Sequence, residues 1–304
     1  LRASIDIGSN SVLLLAAEWD NERKKISKEI LNLSYITSLG KDLDSTKKFR
    51  QDAMDATYEA LLDYKNELEK IKISPSSVIV TATEASRVAT NAAEFYKKIK
   101  SDLGFSITLI NPEGEAYYTA LGVASAMDND SEVVIMDMGG ASTELIRVQL
   151  EPFNIISTIS LPVGSVRATD WKLENVFDEK MEKILLKDFK NYKTKSLLCV
   201  AGSMTSLASM YLGLKVFDDR AIEGLNIKFS IFKEFVSDLQ MTSVDNLLLL
   251  FPFLEKRAPL ISAGALAAKM IGERIEIENI NISTRGLRYG VLIKGEIDEQ
   301  FTIR

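Results

Sequence analysis

One short pattern occurs twice in this chain, and it limits the folds available to it. Asp6-Ile7-Gly8-Ser9-Asn10-Ser11 returns as Asp137-Met138-Gly139-Gly140-Ala141-Ser142, 131 positions later. Each copy sits between two apolar runs, residues 3–7 and 11–19 in the first and 132–137 and 143–150 in the second. Apolar run, small-residue turn and apolar run predict strand, turn and strand. A repeat of this kind implies duplicated domains, and 304 residues accommodate two at roughly 100–200 each.

The segments between and after the copies alternate in period. Over residues 47–71, Phe49, Met54, Tyr58, Leu61, Leu62 and Leu68 recur at helical spacing with charges between them. The reading continues with a strand at 78–80, a helix at 84–100, a strand at 105–110 and a helix at 115–127. A polar break follows at Asp128-Asn129-Asp130. After the second hairpin come a strand at 155–161, a helix at 179–192, a strand at 197–201 and a helix from Ser203. Helices at 231–239 and 259–275, a strand at 277–282 and a closing helix from Leu287 complete the chain. Strands alternating with helices predict α/β sheets. No linker rich in Gly, Ser or Pro separates the halves, so they are expected to pack around a cleft.

Composition removes several chemistries. There is no histidine, which excludes Ser-His-Asp and Cys-His nucleophiles and His-ligated zinc and leaves proton transfer to carboxylates, Lys or Tyr. The single cysteine, Cys199, excludes internal disulfides and CxxC sites, and a reducing cytoplasm is the expected location. A net charge of −6 argues against a nucleic-acid coat or an anionic-membrane binder. The strongest apolar stretch, residues 247–254, is far short of the ~20 residues that span a bilayer and is broken by Pro252. The chain opens at Leu1 rather than Met, so a few leading residues are expected upstream.

The repeated turns carry the candidate chemistry. Each sets a carboxylate at the end of a buried strand, followed by small residues that present backbone N–H groups, a concavity suited to phosphate. Neither copy is a Rossmann GxGxxG or a P-loop GxxxxGK[ST], because the turn leads into a strand and no such Lys follows. The second copy is richer, with Asp137, Gly139, Gly140, Ser142, Thr143 and Glu144 within eight positions. Two carboxylates, hydroxyls and N–H groups suit a phosphate with Mg²⁺, a hard cation that keeps several waters. The plainer alternatives are an ordinary Asp turn at the first copy and a hairpin with an exposed Glu144 at the second.

These residues, with Ala82-Thr83-Glu84-Ala85-Ser86-Arg87-Val88-Ala89-Thr90-Asn91, resemble the exopolyphosphatase/guanosine pentaphosphate phosphatase family. Further matches are Gly164-Ser165-Val166-Arg167, Ala201-Gly202-Ser203-Met204-Thr205-Ser206-Leu207-Ala208, Arg257-Ala258 with Gly264, and Gly286-Leu287-Arg288-Tyr289-Gly290, in family order over almost the whole chain. The resemblance implies two ribonuclease H-like domains of the actin/Hsp70/sugar-kinase fold with an interdomain cleft. The domains would cover residues 1–118 and 119–293, with about 294–304 packing back on the first.

The implied activity is hydrolysis of the terminal phosphoanhydride of inorganic polyphosphate or guanosine pentaphosphate, with Mg²⁺, in a cytoplasmic homodimer that engages neither nucleic acid nor membrane. Matching the family's Gly-x-Glu-Glu-Ala segment to residues 112–116 makes Glu115 the general base, at the start of a helix after a strand. By the same resemblance Asp137, Glu144 and Asp6 hold the metal, Asp137 and Glu144 also orienting the attacking water. The turns Gly8, Ser9, Asn10, Ser11 and Gly139, Gly140, Ala141, Ser142, Thr143 cradle phosphates. Gly202-Ser203 adds N–H donors at a helix start, and Arg87 binds a substrate phosphate or, alternatively, lies solvated on a helix face.

The chain departs from the family at Glu84, where Ser is common, at Gly114 and Tyr289, which replace glutamates, and at Ala141, which replaces a third glycine. By its length and its lack of histidine it resembles the short, two-domain form and is expected to be without the C-terminal helical domain of longer members. Basic residues able to track a long polyanion, Arg167, Lys172, Arg257, Arg285 and Arg288, are scattered, which favours short chains or nucleotide. Two other classes stay open: a kinase of the same fold, whose nucleotide- and sugar-contacting patterns are not found, and a phosphate or nucleotide sensor in which Glu115 performs no chemistry.

Overall fold

A computed structural model describes residues 1–127 and 132–303, so the expected break at Asp128-Asn129-Asp130 lies outside the described residues. The chain divides into two units, Leu1–Ala126 with Leu287–Arg304, and Met127–Gly286.

In the first unit, β1 (Arg2–Ile7), β2 (Ser11–Asp20) and β3 (Lys25–Ile36) lead to α1 (Leu43–Thr46) and α2 (Gln51–Lys70). Then come β4 (Ile79–Ala82), α3 (Glu84–Val88), α4 (Ala92–Leu103), β5 (Ile107–Leu109) and α5 (Pro112–Ala124). The second unit holds β6 (Glu132–Met138), β7 (Thr143–Gln149), β8 (Asn154–Leu161), α6 (Ser165–Leu173) and α7 (Phe177–Leu185). It continues through β9 (Ser196–Val200), α8 (Ala201–Tyr211), α9 (Asp219–Ile222), β10 (Asn226–Lys228), α10 (Phe229–Gln240), α11 (Val244–Leu250), α12 (Ala258–Arg274) and β11 (Asn279–Ile282). The chain then returns to the first unit as α13 (Leu287–Lys294).

The two sheets share one topology. The first runs β3-β2-β1-β4-β5 and the second β8-β7-β6-β9-β11 with β10 added at its edge. In each, the hairpin strands pair antiparallel and the later strands pair parallel to the first. The internal repeat is therefore a duplicated domain, and the duplicated α/β sheet is the ribonuclease H-like unit of the actin-like fold.

Side-chain alternation explains the near-continuous apolar reading of β2. Val12, Leu14 and Ala16 enter the core with α2 and α4, whereas Leu15 and Ala17 face Tyr289 and Leu292 of α13. A strand covered on both faces has no polar side to present. β3 shows the opposite case. It is an edge strand, mostly exposed along its length, and its polar composition gave no sequence signal. The expected helix over 84–100 is two helices, with α3 ending before Ala89, whose backbone is extended. α6, too, had no periodic signal, since its buried face is made of Ser165, Val166, Arg167, Ala168 and Trp171.

The expected domain limits shift. A boundary after residue 118 would cut α5, a single continuous helix, and α13 belongs wholly to the first unit. The reason for the latter is close packing: a Cβ on Gly290 would lie 1.7 Å from the Tyr118 carbonyl oxygen, so α13 rests on α5 backbone to backbone. The terminal segment also joins this unit, where Asn111 N–H donates to Phe301 O at 2.9 Å and Ile110 bridges Thr302. Gly290→Ala is expected to destabilise the protein by about 3 kcal/mol or more, since the obstacle is backbone that no rotamer change relieves. Denaturant titration followed by circular dichroism measures it.

Candidate active site

In both sheets the candidate residues gather where the parallel strands end. In the first unit β1 ends at Ile7 beside Ala82 of β4, and β5 closes at Leu109, so the β1–β2 turn, α3 and α5 all begin at this carboxyl edge. Ligands of open α/β sheets bind at such edges. The turn itself is closed by Gly8 N–H donating to Ser11 O at 2.9 Å. The loop after β3 folds over it: Thr37 and Ser38 N–H both donate to Asn10 O at 3.0 Å, and Gly40 N–H donates to Ser9 O at 2.6 Å. A Cβ at position 40 would lie 2.8 Å from that of Ser9, so glycine is what permits this cover.

The carbonyls of the turn are thus spent, while the Ser9 and Asn10 N–H groups donate to no backbone carbonyl among the described residues. Asn10 is only 8% exposed, and its Oδ1 is buried without a hydrogen-bond partner. A buried acceptor left unmade costs on the order of 1–3 kcal/mol, which a cation or donor from a ligand would recover.

The second turn repeats this construction. Gly139 N–H donates to Ser142 O at 3.0 Å, and the Gly139 and Gly140 carbonyls accept from the first turn of α6, Ser165, Val166 and Arg167, at 2.8 to 3.1 Å. Here too the Gly140 and Ala141 N–H groups donate to no backbone carbonyl among the described residues. A Cβ on Gly164 would lie 2.5 Å from the Gly140 carbonyl carbon, so only glycine lets α6 sit against the turn.

Asp137 and Glu144 are directly opposed across β6 and β7, on one face of the sheet. Glu144 is not an exposed hairpin residue: it is 2% exposed, with Ser160 Oγ donating to it at 2.8 Å. Like charges placed directly opposite are unfavourable unless a cation or donors offset them. Among the described residues no three carboxylates or thiols gather closely enough to hold a metal by themselves. The donor set nevertheless fits Mg²⁺, a hard ion that rests on one or two carboxylates and completes its shell with water and phosphate oxygens.

At the end of β9, Ala201 adopts φ 72° to turn the chain into α8, a conformation rare outside glycine. Arg257 lies over this turn: a Cβ on Gly202 would lie 2.8 Å from its Nη2, and its Nη1 donates to Ser206 Oγ at 2.9 Å. Burial pulls the Arg257 guanidinium down to about 10, against the opposing charge of Glu255, and leaves it charged at neutral pH. Gly202 and Ser203 thus share their turn with a cation. The sequence flagged Arg257 as a family match with Ala258 and as one of a scattered basic set; its place beside Gly202 is tertiary.

Glu115 is set by the start of α5. Asn111 caps the helix by accepting from Gly114 N–H at 2.8 Å, Pro112 occupies the first turn, and Glu115 lies in that turn at 12% exposure. Both terminal nitrogens of Arg87 donate to Glu115 Oε2 at 3.1 Å. Arg87 is not solvated on a helix face, being 10% exposed. Glu84, one turn earlier on α3, accepts from its Nε at 3.2 Å and Nη2 at 2.9 Å. Burial alone would lower the Arg87 guanidinium, but the charges and hydrogen bonds of Glu115 and Glu84 outweigh it and hold it above its ordinary value. As a phosphate ligand Arg87 would have to release a partner. The role of Glu84 as that partner was missed in the sequence, where it read only as a departure.

Residues 21–297 match the Ppx/GppA phosphatase family. The chain belongs to that family. It is 31% identical, over 319 aligned positions, to the bifunctional 3-dehydroquinate synthase/phosphatase of Fusobacterium nucleatum, covering 97% of this chain and 46% of that protein. To the guanosine-5'-triphosphate,3'-diphosphate pyrophosphatase of Vibrio vulnificus it is 28% identical, covering 96% and 58%. The chain thus spans about half the length of these curated relatives. The PPX-GPPA enzyme of Aquifex aeolicus superposes with a TM-score of 0.77 at 30% identity, covering 96% of this chain and 98% of that one. An exopolyphosphatase from Cytophaga hutchinsonii shares the fold at a TM-score of 0.83 and 22% identity, covering 96% and 97%.

Three departures from the Ppx/GppA pattern have physical reasons. A Cβ on Gly114 would lie 2.7 Å from that of Phe301, so the terminal segment requires glycine there. Tyr289 is buried, and its hydroxyl donates to Glu29 at 3.1 Å and accepts from Asn32 at 3.2 Å, fastening α13 to β3. Ala141 is not among the residues of positive φ, so a Cβ costs nothing in the turn. Restoring glutamate at 114 is therefore expected to destabilise the chain by about 1–3 kcal/mol, read as a lower denaturation midpoint.

Proposed function

We propose that the chain hydrolyses the terminal phosphoanhydride of inorganic polyphosphate or guanosine pentaphosphate and releases inorganic phosphate. The observation that carries this reading is Glu115, held by both terminal nitrogens of Arg87 at the carboxyl edge of its sheet. A carboxylate fixed in this way has a defined direction from which to take a proton.

Each unit offers its own proposed phosphate-binding turn, with the N–H groups of Ser9 and Asn10 in the first and those of Gly140 and Ala141, beside Ser142 and Thr143, in the second. Glu115 accepts a proton from a water whose oxygen attacks the terminal phosphorus. The bridging P–O bond breaks, and the shortened chain leaves with the bridging oxygen. Asp137 and Glu144, opposed across β6 and β7, would hold Mg²⁺, with water and phosphate oxygens completing its shell. An ion held there would neutralise charge developing on the phosphate oxygens. Gly202, Ser203 and Arg257 offer a second anion-binding turn.

The distribution of cations supports a short polyphosphate or a nucleotide over a long chain. Arg167 donates to the Ala141 carbonyl, Lys172 to Gln240 and Arg288 to Asn32, so each of these side chains spends a donor within the protein rather than lining a strip for a long polyanion. The Ppx/GppA family membership and the pyrophosphatase relative support phosphoanhydride chemistry.

Phosphate release from long polyphosphate, short polyphosphate and guanosine pentaphosphate tests the reading directly. Glu115→Gln is expected to lower kcat by about 10²- to 10⁴-fold, the range of general-base contributions, while retaining the fold. Chelation of divalent ions is expected to abolish turnover and added Mg²⁺ to restore it. Absence of release from all three substrates by the unaltered protein in Mg²⁺ would overturn the proposal.

A further inference from the structure

Arg87 has five N–H donors, and the structure shows where each goes. Nε and one hydrogen of Nη2 go to Glu84 Oε2, at 3.2 and 2.9 Å. The other Nη2 hydrogen and one of Nη1 go to Glu115 Oε2, both at 3.1 Å, and the remaining Nη1 hydrogen goes to the Ile110 carbonyl at 2.7 Å. The guanidinium therefore meets Glu84 along its side, Glu115 at its end and the strand terminus at its outer corner. Its five donors are fully committed within the chain.

We propose that Glu84 is a positioning residue that also sets phosphate affinity: it takes the side of the Arg87 fork, aligns its end on Glu115, and withholds Arg87 from substrate and product phosphate. The inference rests on the reading of Glu115 as the general base.

Geometry places the pieces where this matters. Glu84 opens α3 directly after β4, and Arg87 follows at the spacing that puts both on one helix face. Glu84 is 22% exposed, the most accessible of the trio, and it carries the second negative charge. Arg with one carboxylate is neutral; with two it is a net anion. Such a site repels free phosphate and favours its departure. Removing Glu84 would release two N–H donors and restore a neutral pair next to the reacting phosphorus. Side-on and end-on forks are also the two bidentate geometries that guanidinium offers to phosphate, so the freed side is a ready phosphate ligand.

The test is calorimetric titration with inorganic phosphate in Mg²⁺, together with steady-state kinetics on the substrate that the unaltered protein turns over. Glu84→Ala is expected to bind phosphate about tenfold more tightly, the scale of one charge-assisted hydrogen bond, with lower KM and lower kcat. Glu84→Gln, which keeps one acceptor and loses the charge, is expected to fall between. The double variant Glu84→Ala with Arg87→Ala is expected to lose the gain, because the gain acts through Arg87. A purely structural role would lower kcat or the melting temperature and leave phosphate affinity unchanged or weaker.

Unchanged or weaker phosphate binding in both folded single variants would overturn the inference, as would a gain that persists in the double variant. If Glu84→Ala fails to fold, Glu84→Gln carries the measurement. Lack of turnover by the unaltered protein would instead refute the hydrolase reading, a result the phosphate titration distinguishes.

Discussion

Parallel pairing of β1 with β4, and of β6 with β9, is the constraint on which the remainder depends. Antiparallel hairpins alone would send successive chain ends to opposite edges. A crossover to a parallel strand returns the chain to the same edge, so turns and helix starts far apart in sequence converge there. In the first unit this brings the Gly8 turn, Glu84 and Glu115 to one edge, and in the second the Gly139 turn and Gly202. Helix starts and tight turns both present N–H groups, which is why an edge of this kind suits phosphate.

The turns show how little room the arrangement leaves. Each is closed by one amide-to-carbonyl bond over four residues, and each has its outward carbonyls taken by a second segment, the loop after β3 or the start of α6. Those second segments need glycine at 40 and 164 because backbone approaches backbone or a neighbouring Cβ. What is left without a backbone partner is the set of N–H groups a phosphate would use. Among the described residues the turns thus leave these N–H groups without a backbone partner and Asn10 Oδ1 without a hydrogen bond, which is what the proposed anion site rests on.

Much of this was legible in the chain itself. The repeat foretold duplicated sheets, and the apolar runs located β1, β2, β6, β7 and β9 to within a residue or two. The signal failed at β3 and α6. β3 is an exposed edge whose pairing partner, not its composition, makes it a strand, and α6 carries a small, mixed buried face. The helix expected over 84–100 breaks because its two parts serve different ends, α3 presenting Glu84 and Arg87 and α4 packing Phe95, Ile99 and Leu103 into the core.

The sequence by itself determined the duplication, the chemistry types and the absence of histidine, because repeats, residue identities and apolar period are local properties of a chain. It could name Asp137 and Glu144 as carboxylates of interest from the repeated turn, and Glu115 through family resemblance. Only the tertiary structure decided what those groups touch. Glu144 is buried opposite Asp137, Gly114 is required by Phe301 nearly two hundred residues away, and Arg87 spends its donors on Glu84, Glu115 and Ile110. Hydrogen bonds and close approaches between distant segments are set by how sheets and helices stack, and no spacing along the chain encodes them.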